Sequence, residues 1–215
     1  MRQYILFLIG MFLVACSSPV PKNEWQYKSV NAFESYKNNY LEGNDLLAKY
    51  DLQHAMHSAK KSANLTTLAR IYLGQCALDK SVGVANNCSK YVQILDVVET
   101  KELEAYYALI SNKLNTQHLK YLAPKYKKFA QALYKHNYQK AFDAIQKCES
   151  DLSKLLWGAL IHEHLNNTQR RYFLEVASIN GYKKAVLFWL KELRKYEKDP
   201  QKQKILDKKI AILIK

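Results

Sequence analysis

"KKFAQALYKHNYQKAFDAIQK" (residues 127–147) reads as two short helices joined by a tight turn. Counting from Tyr126, apolar side chains recur at Phe129, Ala130 and Leu133. After His136-Asn137 the recurrence restarts at Tyr138, Ala141, Phe142 and Ile145. This i, i+3, i+4, i+7 spacing puts each set on one face of a helix, whereas a strand would alternate. Two apolar faces separated by a two-residue break can only bury each other by folding back antiparallel.

The same pattern extends on both sides. Tyr182, Ala185, Val186, Trp189, Leu190, Leu193 and Tyr196 form the longest stripe, with Lys183, Lys184, Lys191 and Arg194 on the other sides. Asp199 is placed to cap a last helix, with Pro200 at the first helical position, where its missing N–H costs nothing. Leu206, Ile210 and Leu213 give that helix an apolar stripe. Glu42-Gly43-Asn44-Asp45, Pro124, Asn166-Asn167-Thr168 and Asn180-Gly181 supply breaks, caps and a left-handed stop. The whole chain holds six glycines and four prolines. The spacing predicts an all-α fold of roughly ten helices of about 10 to 18 residues, arranged as stacked antiparallel pairs.

Helix starts near 125, 138, 152, 168, 182 and 200 space alternate helices by roughly 27 to 32 residues, a little below the tetratricopeptide period. The stretch 127–147 resembles the tetratricopeptide helix–turn–helix, with Leu133, Tyr138, Ala141 and Phe142 in packing places. "EVASINGYKKAVLFWL" (175–190) resembles the join between Sel1-like repeats through Ala177, Gly181, Tyr182 and Ala185. "LARIYLG" (68–74) and "LLWGALI" (155–161) resemble the Sel1 helix that ends in Leu-Gly, although Trp157 replaces the leucine in the second. The resemblance spans about 120–215 and, more faintly, 60–100. It implies an α-solenoid over 25–215 whose concave face docks peptides or proteins.

The amino terminus carries a separate signal. Arg2 precedes an apolar run from Ile5 to Ala15, about 11 residues, too short for the ~20 needed to span a bilayer. Leu13-Val14-Ala15-Cys16 resembles the lipobox of bacterial lipoproteins. The resemblance implies that residues 1–15 are a cleaved signal peptide and that the Cys16 thiol takes up diacylglycerol. It further implies acylation of the new amino group, commonly with palmitate. Two or three chains on Cys16 would anchor the protein permanently, since each buried CH₂ contributes about 0.8 kcal/mol. Residues 16–24, with Pro19 and Pro21, read as the lipidated cysteine and an extended tether able to lift the domain on the order of 25 Å from the lipid. Ser17 stands where enteric lipoproteins retained in the inner membrane carry aspartate, so the same resemblance implies the outer membrane, facing the periplasm.

Formal net charge is +14; removing 1–15 takes away Arg2 alone and leaves 32 basic residues against 19 acidic. A secreted lipoprotein has no nucleic acid to meet, so the partners expected are an acidic protein surface or anionic lipid or glycan. Lys127, Lys128, Arg170, Arg171, Lys183 and Lys184 are the partner-binding candidates. From 182 to 215, 11 basic residues stand against 4 acidic. Several of the sixteen tyrosines neighbour lysines, as in Lys125-Tyr126-Lys127. That pairing suits a recognition surface, and also the filling of gaps between helix pairs.

Cys76, Cys88 and Cys148 remain in an oxidising compartment. Cys76 and Cys88 flank "ALDKSVGVANN" and are the disulfide candidates, bridging what reads as an interhelical loop. Cys148, three after Ile145, reads as a buried thiol.

The chain offers little chemistry. His162-Glu163-His164 sets its histidines about 200° apart around a helix, so they cannot share a metal, unlike His-Glu-x-x-His. His54 and His57 share a face but make half a zinc site. Glu99, Glu102 and Glu104 read as a solvated helix start. There is no phosphate-cradling glycine loop and no Gly-x-Ser-x-Gly elbow. No catalytic residue, metal or cofactor is expected. The function expected is a non-enzymatic adaptor or scaffold in an envelope assembly serving secretion, pili, motility or outer-membrane building. The alternatives are a peptidoglycan-acting enzyme or its regulator, or a basic binder of anionic lipid or glycan.

Overall fold

A computed structural model describes residues 23–98 and 100–214. The expected signal peptide, Cys16, most of the expected tether, Glu99 and Lys215 lie outside the described residues. Over the rest the chain is all-α, with twelve helices and no strand among the described residues. They are α1 (Glu24–Glu42), α2 (Asp45–Ala59), α3 (Thr66–Ser81), α4 (Ser89–Val92), α5 (Lys101–Ile110), α6 (Thr116–Tyr121), α7 (Pro124–Tyr134), α8 (Tyr138–Gln146), α9 (Asp151–Leu160), α10 (Asn167–Ile179), α11 (Lys183–Tyr196) and α12 (Pro200–Ile214). Two 3₁₀ turns, Leu95–Val97 and His162–His164, complete the set.

The caps fall where the residue types demand. Asn166 and Gln169 make a reciprocal capping box on α10, and Asn137 caps α8 through the Lys140 amide. Asp199 accepts from the amides of Gln201 and Lys202 ahead of α12. Each cap satisfies amide donors that the first helical turn leaves without partners. Gly43 and Gly181 close α1 and α10 at positive φ.

From α7 to α12 each helix packs on the next. Aromatic side chains join these layers. Phe129 of α7 stacks on Trp157 of α9 at 4.8 Å, and Phe173 of α10 stacks on Trp189 of α11 at 4.6 Å. Phe142 of α8 meets Phe173 edge-on at 5.9 Å. Gly158 of α9 makes this possible, because a Cβ there would stand 2.6 Å from the Phe173 ring. The glycine is therefore a slot for a neighbour's aromatic, inside the helix and not at its end.

The amino-terminal half departs from neighbour-on-neighbour stacking. The α1–α2 hairpin lies against both α3 and α11, and α3 packs on α5 and α9. Lys184 of α11 pairs with Asp45 of α2 across 139 positions of sequence, its Nζ 3.9 Å from the Tyr40 ring centre. Tyr40 Oη donates to Asp79 at 2.5 Å, tying α1 to α3. An open solenoid brings together only sequence neighbours; here apolar faces left on α1 and α3 are covered by α11 and α9 instead.

Between α3 and α5 the chain is irregular. Cys76 and Cys88 are joined by a disulfide, with Cα atoms 5.3 Å apart. Helix α3 runs on to Ser81, so the bridge starts inside a helix and spans a shorter loop than the sequence suggested. Cys148 likewise falls just past α8, half-buried and free, with its Sγ 3.7 Å from the Ser150 carbonyl oxygen.

Candidate functional site

Four helices end beside one trough. Lys80 is in the last turn of α3, Ile110 closes α5, Leu133 and Tyr134 close α7, and Ala159 and Leu160 close α9. Three hollows run together there. One of about 270 Å³ lies among Asn112, Leu114, Leu133, Tyr134, His136, Tyr138, Leu160 and His164. It shares Asn112, Leu160 and His164 with a second of about 490 Å³, which reaches Gly83, Ile110, His162, Glu163, Phe188 and Glu192. The second shares Lys80 and Ala85 with a third, bounded by Asn86 and Asn87.

The backbone that shapes the trough is specialised. Gly83, Asn112 and His136 each leave a helix at positive φ, of 74°, 54° and 52°. Glycine adopts that region freely, and asparagine and histidine more readily than most other residues. At Gly83 there is also no room for a side chain, since a Cβ would stand 2.2 Å from the Phe188 ring. Converging helix C-termini carry partial negative charge. Glu163 and Glu192 lie on the same trough wall, Glu192 paired with His162. Lys80 is the lysine on that wall, and burial lowers the pKa of its ammonium group.

One polar pair is built into the wall. His162 Nδ1 lies 2.9 Å from Glu192 Oε2, and the Phe188 ring meets the imidazole edge-on. Glu192 is 9% exposed. Behind the pair sits Arg170, 2% exposed. Its Nη2 donates to the His162 carbonyl at 3.0 Å and its Nη1 to Asn167 Oδ1 at 3.2 Å, while the guanidinium lies 3.7 Å from the Tyr196 ring centre. Burial pulls the pKa of this guanidinium down from its ordinary value, a shift that Tyr196 and Glu192 oppose. Arg170 thus holds the 3₁₀ turn that presents His162 to the trough. In the next hollow His164 stacks on Tyr138 at 3.5 Å.

The six basic candidates from the sequence do not form one surface. Arg170 is a correction: it is interior, because Asn167, the His162 carbonyl and Tyr196 use its donors and its flat face. Lys184 is half-buried and occupied by Asp45 and Tyr40. Lys183 and Lys128 are exposed and Lys127 is half-buried. Arg171 is exposed, 3.9 Å from Glu197. Lys128 instead joins Lys135, Lys140 and Lys147 along a cleft of about 370 Å³ between α7 and α8. His54 and His57 are exposed on α2, and among the described residues no group of three or more His, Cys, Asp or Glu is arranged to hold a metal.

Glu192 and His162 were missed as a pair. The signal in the sequence was an acid inside an apolar stripe, three residues after Trp189 and beside Leu193. Its partner, 30 positions away, could not be read from spacing. Among the described residues no helix is long and apolar enough to cross a membrane. No protein-family model matches the chain, and neither a curated protein nor a solved structure does.

Proposed function

We propose that the protein is a lipid-anchored adaptor of the bacterial cell envelope, held at the membrane through Cys16 and docking a segment of a partner protein in the trough. Solenoid-like stacking of the helices from α7 to α12 belongs to the same reading. The observation that carries it is the trough itself, three hollows joined end to end along the ends of four helices. An elongated open groove suits an extended chain, whereas small molecules favour enclosed pockets. The helix C-termini and the exposed Glu163 along it favour lysine, arginine or backbone N–H donors from the partner. The lysine-lined cleft between α7 and α8 offers an acidic region of the same partner a second contact.

Two experiments test this. Photo-crosslinking groups at Tyr134, Val84 and His164 should capture the same protein, while one at Gln53 on α2 should not. An Ala85→Trp change should abolish the capture by blocking the trough. Equal capture from Gln53 sinks the trough as the docking site. For the anchor, Cys16→Ser should shift the protein from the membrane to the soluble fraction.

The His162–Glu192 pair, its carboxylate buried and its imidazole half-exposed to the trough, favours a second reading, an envelope enzyme acting on peptidoglycan, because a carboxylate hydrogen-bonded to an imidazole can serve as a general base. Release of soluble fragments from purified peptidoglycan, lost in Glu192→Gln, would establish it; no release from the wild-type protein excludes that activity.

A further inference from the structure

The last helix is left almost bare. Helix α12 rests on α11 and none of its residues is buried. Leu206, Ile210 and Leu213 face inward and are half-buried. Beside that stripe Ile205 is 57% and Ile212 63% exposed, Ile212 and Lys209 bordering a shallow hollow against Leu174, Val186 and Leu190; Ile214, 61% exposed, lies on the other side of the stripe. Ile205 and Ile212 are seven residues apart, so they lie about 20° from each other around the helix. The same geometry puts Lys202 and Lys209 on one flank of that strip and Lys204 and Lys208 on the other, and all four are exposed. Asp207 is the helix's one acid, and Arg194 Nε donates to it at 2.8 Å. Lys202 has only a long, exposed approach to Asp199, at 3.8 Å.

We infer that this face of α12 binds an anionic lipid surface. A short helix with no buried residue is marginal in water and gains from a covering for its isoleucines. A narrow apolar strip between two rows of lysine fits the boundary of a bilayer: the isoleucines enter below the headgroups, the lysine stems lie along the apolar layer, and the ammonium groups reach back to lipid phosphates. Charge complementarity selects the occupant, since every cation on the face meets the anionic headgroups and the helix's one carboxylate is engaged by α11. The contact would lay the carboxy-terminal end of the domain on the membrane, leaving the trough as a separate site. It stands on α12 and does not depend on lipid at Cys16.

The test uses the chain expressed from Ser17, which keeps every described residue and carries no lipid. It is co-sedimented with vesicles of phosphatidylcholine alone or with about a third phosphatidylglycerol. Partitioning should be at least tenfold greater on the anionic vesicles. The double variant Lys208→Glu/Lys209→Glu should lose that preference, and Ile212→Ser should weaken binding to anionic vesicles several-fold. Lys49→Glu/Lys60→Glu, both exposed and far from α12 in sequence, should leave it intact. Circular dichroism of each variant confirms an unchanged fold. Equal binding to both vesicle types, or full binding by Lys208→Glu/Lys209→Glu, overturns the inference. So does concentration-dependent dimerisation abolished by Ile205→Ser, which would make a second copy the occupant.

Discussion

The run α7–α11 and the segment from Val82 to Thr100 use opposite means to stay folded. In α7–α11 every helix is long enough to bury a stripe, and aromatic rings tie successive layers together. Among its described residues the segment 82–100 contains a four-residue helix and one 3₁₀ turn and cannot bury a stripe of its own. It is held by the Cys76–Cys88 bond and by Tyr91, which is fully buried against Tyr107 at 5.3 Å. The contrast teaches that periodic apolar spacing is sufficient only where there are enough turns to repeat it. Elsewhere a covalent link or one large side chain must substitute.

Four measurements would break or sharpen that contrast. The largest effect belongs to the regular run. Trp157→Ala removes a ring that Phe129 and Tyr126 both touch, and should lower unfolding stability in denaturant by about 3–5 kcal/mol. A loss under 1 kcal/mol would mean that the aromatic layers do not hold the run together. Next comes the irregular segment. Reducing the disulfide should cost about 3 kcal/mol in the chain-entropy view. Hydrogen exchange should then accelerate across 82–100 first, with α7–α11 still protected.

The third measurement separates the halves by pH. Burial raises the pKa of Tyr36, Tyr40, Tyr91 and Tyr106, in Tyr91 to about 12, and that of Tyr172 in α10 as well. A tyrosine whose folded pKa lies above its unfolded value of about 10 stabilises the fold fully below pH 10. That stability is lost as pH climbs toward the folded pKa, by up to about 1.4 kcal/mol per pH unit for each such group. Alkaline unfolding should therefore begin in α1–α5, where four of these five tyrosines lie. A first loss in α7–α11 would contradict this. The smallest effect is expected at the clasp between halves. Lys184→Ala should cost no more than about 1 kcal/mol, since Asp45 is well exposed. It should still raise hydrogen exchange in α1 and α2 more than in α9 or α10.

How much of the molecule was legible follows the same division. Phe129, Ala130, Leu133, Ala141, Phe142 and Ile145 are all buried as their spacing demands. The turns at Gly43, His136-Asn137 and Gly181 fall where read. The cover that α11 gives α1 was not legible, because the residues involved lie more than a hundred positions apart and an exposed lysine looks in sequence like a clasping one. Arg170 was misread for that reason. Its charge marks it as surface until Tyr196 and the His162 carbonyl are brought alongside.

The trough depended on tertiary structure still more. Lys80, Asn112, His136, His162 and Glu192 come from five separate parts of the chain, and no local spacing relates them. What the sequence by itself determined is the helical class, most helix limits and the faces that turn inward, because the 3.6-residue period and the cap residues act over a few positions. Tertiary structure alone decided which inward faces meet, since any apolar stripe can cover any other. From that choice came the convergence of four helix ends, the burial of Arg170 and Glu192, and the strip of isoleucine and lysine left uncovered on α12.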